Sequence, residues 1–321
     1  MASITGMATT YNCPNFVGEL FSVSPEDTPF LSLIGGLTGG ESVGSTTFGW
    51  SEEDLRDADD SRQRLEGADA PTAEERARVY AENVLEIHQE AVSVSYTRQG
   101  ARQMHGAGDK AVRIGGTTVP ADEYAHQIER QLKTTARDVE KTFITGKFQK
   151  PADNTKPRKT RGLLEAVTTN TATTTHTAAT LTADEVLDLM QKVWTAGGIR
   201  ETETRTIMVN ATLKRALTKL FIHDEKYQET SRNVGGLNLK YIETDFGACN
   251  IVLNRYVPVD KLLVVSIEQC APAFLEIPEK GHFFVERLAT TGAASNAQLY
   301  GEIGLQYGNQ RSHGVLTVAT A

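Results

Sequence analysis

A long helix with one apolar face is the feature that most restricts how this chain can fold. Between residues 121 and 145 the large apolar side chains recur every three or four positions, so they line one side of an α-helix. Pro120 stands at its start and Gly146 at its end, where these residue types favour helix termini. At a rise of 1.5 Å per residue the helix would be about 38 Å long. Such a helix requires a sheet or an extended segment along its apolar face. That face carries Tyr124, Ile128, Leu132, Val139 and Phe143.

Strand patterns on both sides of this helix predict an α+β fold with mostly antiparallel sheets. The clearest alternation of apolar and polar residues is at residues 297–307. We expect Leu132 and Val139, two turns apart on the helix, to be buried against this strand or against the N-terminal segment. Thr182 and Glu185 have the spacing of a capping box and mark the start of a second helix.

Residues 46–96 are predicted to form a long two-stranded hairpin, whose tip, residues 51–78, has ten acidic and five basic residues. The apolar residues of the returning strand change phase, which predicts a β-bulge or a break near residues 88–91. Because two strands alone have no core, the hairpin is expected to lie across another subunit. The apolar residues that flank the tip are the predicted self-association residues. They are Phe48, Trp50, Leu85 and Ile87.

Composition and motifs argue against an enzyme. The 321 residues have a net charge of -8 and no basic stripe that would neutralise phosphates. The sequence has no phosphate-binding loop, no nucleophile elbow and no two histidines at metal-ligand spacing. Cys13, Cys249 and Cys270 are too far apart for a zinc motif, and the triplet at residues 223–225 (HDE) is interpreted as a solvated loop. We therefore predict no enzymatic activity and no catalytic, cofactor-binding or metal-binding residue.

Four stretches along the chain resemble the major capsid proteins of tailed bacteriophages, of the siphophage type, which share the Hong Kong 97-type fold. Their order, and the match of the elements between them, extends the resemblance over nearly the whole chain. The stretches are residues 24–31 (SPEDTPFL), 132–140 (LKTTARDVE), 161–164 with 168–170 (RGLL and TTN), and 308–314 (GNQRSHG).

The resemblance implies a domain organisation that agrees with the predicted elements. The implied parts are an N-terminal arm at residues 1–45, an extended loop at 46–96, a peripheral domain with a spine helix (121–145) at 97–182, an axial domain at 183–266, and return strands of the peripheral domain at 267–321. The sequence has no long, charged helical segment at its N-terminus of the kind that serves some relatives as a fused scaffold.

The function implied by the resemblance is structural. Copies of the chain would assemble into hexamers and pentamers of an icosahedral shell around double-stranded phage DNA, without sequence-specific DNA binding. Portal, scaffolding and cement proteins are the other implied partners, and no membrane is involved. Assembly would take place in the cytoplasm of the bacterial host, and the product would be the virion capsid.

Three alternatives stay open on the sequence alone. An encapsulin-type nanocompartment resembles the same fold but encloses enzymes, and a neighbouring terminase or portal gene would favour the capsid over it. An unrecognised α+β enzyme would need a concave apolar pocket with convergent polar groups. A tail or adhesin module would lack a long amphipathic helix between strand segments.

Overall fold

The computed structural model describes residues 27–53, 58–72, 78–100, 112–114, 117–119, 123–200, 203, 205–223, 241–290 and 292–320. The chain divides into two compact units. The first unit contains the described parts of Gln89–Thr135 and Phe284–Tyr300. The second unit contains the described parts of Thr28–His88, Ala136–Phe283 and Gly301–Ala321. The apolar residues expected to anchor the arm before residue 27 lie outside the described residues.

The described chain contains both helices and runs of consecutive strands, as expected for an α+β fold. The helices are α1 (Pro29–Leu33), α2 (Tyr96–Gly100), α3 (Glu123–Thr145), α4 (Leu163–Ala166), α5 (Ala183–Thr195) and α6 (Ala211–His223). The strands are β1 (Glu41–Val43), β2 (Thr47–Glu52), β3 (Val79–Val84), β4 (Glu86–Ser95), β5 (Val112–Ile114), β6 (Thr117–Val119), β7 (Thr171–Thr177), β8 (Arg205–Val209), β9 (Tyr241–Thr244), β10 (Gly247–Leu253), β11 (Lys261–Ser266), β12 (Ala271–Leu275), β13 (Phe283–Arg287), β14 (Ala294–Gln306) and β15 (Gly314–Ala319). Short 3-10 helices occupy Ile267–Gln269 and Gln310–Ser312.

A six-stranded sheet in the second unit has the strand order β7-β15-β11-β8-β10-β9. β8 and β11 are almost continuously apolar because both faces of the sheet are covered. Ile207 and Val264 belong to the core that includes α5 and α6. Met208 and Leu263 belong to the core that includes the second half of α3. The domain organisation implied by the resemblance places β15 among the return strands of the peripheral domain. In the structure β15 pairs with β11 and β7.

A second set of paired strands in this unit consists of β1, β12 and the end of β14. Phe48 and Leu85 pack against Ala273 of β12 and form a small core with it. A Cβ atom on Gly304 would lie 2.7 Å from the Phe48 ring and 2.9 Å from the Val84 carbonyl oxygen. Glycine at this position therefore permits the close approach of the hairpin base to β14.

The expected phase change of the returning strand occurs earlier than residues 88–91. β4 is continuous from Glu86 to Ser95, and the break lies at Leu85, between β3 and β4. Leu85 and Glu86 are consecutive buried residues, which a regular strand with one covered face does not have. Along β4 the side chains of Glu86, Val92 and Val94 are buried and those of Ile87 and Ala91 are exposed, so the same face is covered from one end of this strand to the other.

In the first unit the described residues of β4 and β13 both belong to the sheet that contains β14. Val94 and Leu299 are buried on one face of these strands. A row of polar side chains crosses three strands: Gln89 Nε2 donates to Gln298 Oε1 at 2.9 Å, and Gln298 Nε2 donates to Glu286 Oε2 at 3.1 Å. The alternation along each strand thus separates an apolar face from a hydrogen-bonded polar face.

The predicted long helix is confirmed as α3 over Glu123–Thr145, while residues 121 and 122 lie outside the described part. Val139 and Phe143 have no exposed surface and belong to the core of the second unit, as expected for the apolar face. The expectation for Leu132 is wrong, because its side chain is 38% exposed. Leu132 lies in the first unit, where Tyr124 and Ile128 of the same helix face are half-buried.

We expect Val139→Ala to lower the free energy of unfolding of the unassembled subunit by about 2 kcal/mol, through lost burial and the cavity left behind. Leu132→Ala should cost less than about 1 kcal/mol, because its side chain is already partly in water. Urea unfolding followed by circular dichroism measures both changes, with Lys133→Ala as the control on the polar side. A larger loss at Leu132 than at Val139 would contradict this assignment of the helix face.

Candidate self-association surface

A two-stranded ribbon, β2 with β3, leads to the charged tip at residues 51–78. Thr47 pairs with Val84 at one end of the ribbon, and Glu52 pairs with Val79 at the other. The two strands form a sheet of their own. Two strands bury too little apolar surface to be stable alone, so the ribbon depends on contacts at its base or with another molecule.

The structure separates the four predicted self-association residues. Phe48 and Leu85 are buried in the subunit's own core beside Ala273, so they cannot contact a neighbouring copy. Trp50 is partly buried, and its indole N–H donates to the Gly308 carbonyl oxygen at 2.8 Å. Ile87 is 49% exposed. The prediction treated all flanking apolar residues alike. Leu85 and Ile87 are two residues apart, but Leu85 lies at the strand break and is buried, whereas Ile87 lies in β4 and is exposed.

Two exposed apolar residues near the end of the ribbon were missed by the sequence reading. Val79 is 64% exposed and Tyr80 is 63% exposed. The Tyr80 ring lies across Gly49 of the paired strand, where a Cβ atom would come within 2.3 Å of the ring. Gly49 pairs with Glu82, and Tyr80 lies diagonally across from it, opposite Ser51. The available signal was Gly49 itself, since a glycine in a strand often marks a close approach.

The tip itself is in water. Each described residue from 58 to 72 is exposed, including Leu65. Arg62 pairs with Asp59 at 3.3 Å, and Arg78 pairs with Glu53 at 3.4 Å. Ion pairs this exposed contribute little to stability. The described residues of the tip therefore carry their charge without contributing to the core of their own subunit.

Asn83 fixes the base of the ribbon. Its side chain is fully buried, and its Oδ1 accepts hydrogen bonds from the N–H groups of Val84 at 2.9 Å and Arg161 at 2.8 Å. Its Nδ2 donates to the carbonyl oxygens of Leu305 at 2.7 Å and Arg161 at 3.2 Å. These four bonds use the full capacity of the amide. The ribbon is consequently held at its base and unsupported at its tip.

Two of the four sequence stretches meet at Glu140. Its carboxylate accepts hydrogen bonds from the N–H groups of Phe30 at 2.9 Å and Leu31 at 2.6 Å, at the start of α1. Asn254 Nδ2 donates to the same carboxylate at 2.5 Å. Burial raises the pKa of Glu140, and the three hydrogen bonds oppose that rise. A residue of α3 thereby holds the first turn of α1 in place.

The other two stretches meet beside β15. Asn170 Nδ2 donates to the carbonyl oxygens of Arg311 at 2.5 Å and His313 at 3.1 Å. Gln310 Oε1 accepts hydrogen bonds from the N–H and the hydroxyl of Thr168, at 2.9 and 2.7 Å. These contacts join segments that are more than a hundred residues apart in sequence, so they fix the position of the C-terminal strand.

His313 is buried at the centre of this junction. Its Nε2 lies 2.7 Å from the Tyr307 carbonyl oxygen, and the Ser266 N–H donates to its Nδ1 at 3.3 Å. The carbonyl can only accept, so the proton of the neutral ring is on Nε2. Burial lowers the pKa of His313.

Features that would support catalysis are few among the described residues. No group of three or more His, Cys, Asp and Glu side chains in the described ranges could hold a metal ion, and residues 224 and 225 of the HDE triplet lie outside them. Burial raises the pKa of Cys249 to about 11 and also raises the pKa of Cys270, so both thiols are protonated at neutral pH. None of the helices in the described ranges is long and apolar enough to span a membrane.

Comparison with known proteins gives consistent matches over the whole chain. The family model for the SU10 major capsid protein matches residues 3–320. The major capsid protein of Escherichia phage Phieco32 is 24% identical over 360 residues, which cover 95% of this chain and 94% of that protein. The capsid of cyanophage A-1(L) matches with a TM-score of 0.66 at 13% identity, covering 96% of this chain and 97% of that chain. The SrpI encapsulin of Synechococcus elongatus PCC 7942 matches with a TM-score of 0.57 at 12% identity, covering 92% of each chain.

The structural matches confirm the predicted α+β fold of the Hong Kong 97 type. Phage capsids and encapsulins both have this fold. The fold alone therefore does not distinguish a capsid protein from an encapsulin-type nanocompartment protein. The family match separates them, since it extends over nearly all of the chain and names a capsid protein.

We expect Glu140→Ala to lower the free energy of unfolding by about 2 to 4 kcal/mol, because the N–H groups of Phe30 and Leu31 and the Asn254 amide would lose their acceptor. Glu129→Ala on the exposed side of the same helix is the matched control and should change the free energy by about 0.5 kcal/mol or less. Denaturant unfolding of the unassembled subunit measures both. Equal losses would show that Glu140 does not hold α1.

A second prediction concerns pH. Because the pKa of His313 is lowered in the folded state, the unfolded chain binds this proton more readily between that pKa and about 6.5. The contribution of His313 to stability is therefore full above pH 6.5 and is lost as the pH falls below it. Unfolding measured at pH 7.5 and 5.5 should show a smaller pH dependence for His313→Gln than for the natural chain. An unchanged difference would show that His313 is not the titrating group.

Proposed function

This chain belongs to the SU10 major capsid protein family, and from that premise we propose that it builds an icosahedral shell of hexamers and pentamers around double-stranded phage DNA. The observation that carries the proposal is the family match from residue 3 to residue 320. A capsid subunit acts by binding copies of itself, and the exposed ribbon tip is consistent with that role. The proposal assigns the chain a structural role and no catalytic one.

Further partners follow from the needs of such a shell. We propose that a portal protein occupies one vertex, that a separate scaffolding protein guides assembly, and that cement proteins bind the finished surface. The packaged DNA would contact the shell without sequence-specific binding, which agrees with a net charge of -8. Assembly is proposed to occur in the host cytoplasm, and the assembled chain is a component of the virion capsid.

The domain assignment from the resemblance is carried over as a proposal with one change. Residues 1–45 would be the arm, 46–96 the extended loop, 97–182 the peripheral domain with the spine helix, 183–266 the axial domain, and 267–321 the return strands. The pairing of β15 with β11 and β7 supports grouping β15 with the axial sheet instead of the return strands.

The proposed self-association residues are exposed apolar residues of the ribbon, of β4 and of α3. Ile87 is retained from the sequence analysis, while Val79 and Tyr80 of the ribbon and Leu132 of α3 are added. Each is a large apolar side chain with more than a third of its surface in water. Apolar groups of this kind gain most from contact with another copy.

Electron microscopy of the purified chain, expressed with and without a scaffolding protein from the same phage, tests the proposal. Closed shells or tubes are the expected result. A monodisperse monomer under both conditions would overturn it. Shells that enclose an enzyme instead of DNA when isolated from the natural host would favour the encapsulin alternative.

We expect a chain in which residues 53–78 are replaced by Asn-Gly to fold but not to form shells. The two-residue turn suits the paired ends of β2 and β3, where Glu52 lies opposite Val79. The unfolding free energy of the subunit should change by about 0.5 kcal/mol or less, because every described residue among those removed is exposed. Unfolding and a count of shells by electron microscopy measure the two effects.

The control for this variant keeps the length and charge of the tip and changes Ala58, Ala68 and Ala70 to Ser. It should assemble as the natural chain does. A deletion variant that fails to fold would show that the tip belongs to the subunit's own core.

A further inference from the structure

The strand β7 forms one edge of the six-stranded sheet, and it has none of the features that usually protect such an edge. It spans seven residues, five of which are threonine, and it contains no Asp, Glu, Lys, Arg or Pro. Natural proteins shorten their edge strands or place charges and proline on them, because an open edge can pair with another extended chain. The opposite edge of the same sheet, β9, is shorter and contains Glu243. The composition of β7 is therefore that of an edge that another chain covers.

The pairing of β7 with β15 leaves backbone groups of β7 directed away from the sheet. Val315 pairs with Thr171 in parallel orientation, and its N–H donates to the Asn170 carbonyl oxygen at 3.0 Å. In a parallel pair the backbone groups of successive residues point alternately to the two sides of the strand. The N–H and C=O groups of Thr171 and Thr173 therefore point outward, where no residue in the described ranges binds them. They can bind the backbone of one further strand.

A groove of about 880 Å³ lies beside this edge, between β7 and α5. The Thr174 hydroxyl donates a hydrogen bond to Glu185 of α5, so alternate side chains of β7 face this helix. A strand added to β7 would likewise place alternate side chains in the groove, where Asp188, Gln191 and Lys192 are exposed. When a strand adds to a sheet edge, main-chain hydrogen bonds give affinity and the side-chain positions give specificity.

The charge of α5 indicates which kind of strand fits the groove. The helix contains three carboxylates, Asp184, Glu185 and Asp188, and one lysine, Lys192. The Glu185 carboxylate accepts hydrogen bonds within the capping box. Asp188 is exposed and forms no ion pair within the described part of the chain. A Lys or Arg side chain on the added strand would therefore find a partner in Asp188.

A second copy of the chain fits this edge less well. If β7 paired with β7 of another copy, two α5 helices would lie side by side and their carboxylates would repel each other. Among the described residues, the other edge strands that lie wholly in the second unit each contain a glutamate and no lysine or arginine. These strands are β1 with Glu41, β2 with Glu52, β3 with Glu82 and β9 with Glu243. The complementary occupant is therefore a basic segment of a different protein.

We propose that a basic, extended segment of a second shell protein adds a strand to the free edge of β7 and lies in the groove beside α5. The inference rests on the proposed shell, and it identifies a surface for one of the further partners. The backbone of the added strand would bind the N–H and C=O groups of Thr171 and Thr173. A Lys or Arg side chain of this strand would pair with Asp188.

Hydrogen exchange at single-residue resolution tests whether the edge is occupied. The Thr173 N–H should exchange rapidly in the unassembled subunit and in shells assembled from the purified chain alone. In virions its exchange should be at least about a hundredfold slower, because the added strand binds it. The Ala172 N–H, which faces β15, is the internal control and should exchange slowly in all three samples.

Two pairs of variants separate the backbone contact from the charge. Thr173→Pro removes an N–H that forms no bond within the sheet, whereas its control Thr173→Val keeps this N–H. Asp188→Lys reverses the charge in the groove, and its control Asp245→Lys makes the same change at the exposed turn between β9 and β10. Circular dichroism of each unassembled variant establishes that it is folded.

The readout is the protein composition of purified virions, measured by quantitative mass spectrometry. In virions with Thr173→Pro or Asp188→Lys, the same second protein should fall at least about tenfold relative to the subunit, because its strand loses a hydrogen bond or an ion pair. Its amount should be unchanged in virions with either control.

The outcomes separate this inference from the proposed function. Slow exchange of the Thr173 N–H in shells of the purified chain alone would show that another copy covers β7. Rapid exchange in virions would show that nothing covers it. Either result, or an unchanged protein composition in both variants, overturns the inference while the shell stands. If the chain is not the subunit of the virion shell, the proposed function itself fails.

Discussion

A carboxyl group removed from water connects three segments of the second unit. Glu140 of α3 has no exposed surface, and its oxygens accept hydrogen bonds from the start of α1 and from Asn254, which follows β10. Without these donors, removing the Glu140 carboxylate from water would cost roughly several kcal/mol. The three segments must therefore adopt their native positions together. Since burial raises the pKa of Glu140, its contribution to stability increases as the pH falls through that pKa, opposite in sign to the contribution of His313.

The same principle of complete polar satisfaction fixes the ribbon base and the C-terminal strand. Asn83, Asn170 and His313 are buried, and each makes hydrogen bonds that join segments distant in sequence. Buried polar groups of this kind specify one arrangement, because any shift leaves a donor or acceptor without a partner. The crossings of these segments are thus fixed by buried hydrogen bonds, while the described residues of the charged tip are exposed.

The helix α3 and the capping box of α5 could be predicted from the sequence, because local spacing alone determines them. The self-association residues could not be predicted as reliably. Burial of Phe48 and Leu85 depends on the strand break at Leu85 and on Gly304, which lies more than two hundred residues away. Leu132 shows the reverse case, since its helix face is apolar while its surroundings leave it exposed. Periodicity predicts which face is apolar, but only tertiary structure determines what covers it.

The unequal distribution of contacts suits a protein that must be stable before it assembles. The apolar cores and polar junctions stabilise the isolated subunit, and the described residues of the exposed tip contribute little to it. Single exposed ion pairs are worth roughly 1 kcal/mol or less, so a contact between copies that rests on such pairs alone would be weak and reversible. A shell repeats the contact in every copy, and simultaneous engagement multiplies the weak affinities without any new contact. Misplaced subunits can therefore leave early in assembly, while a subunit surrounded by neighbours is retained.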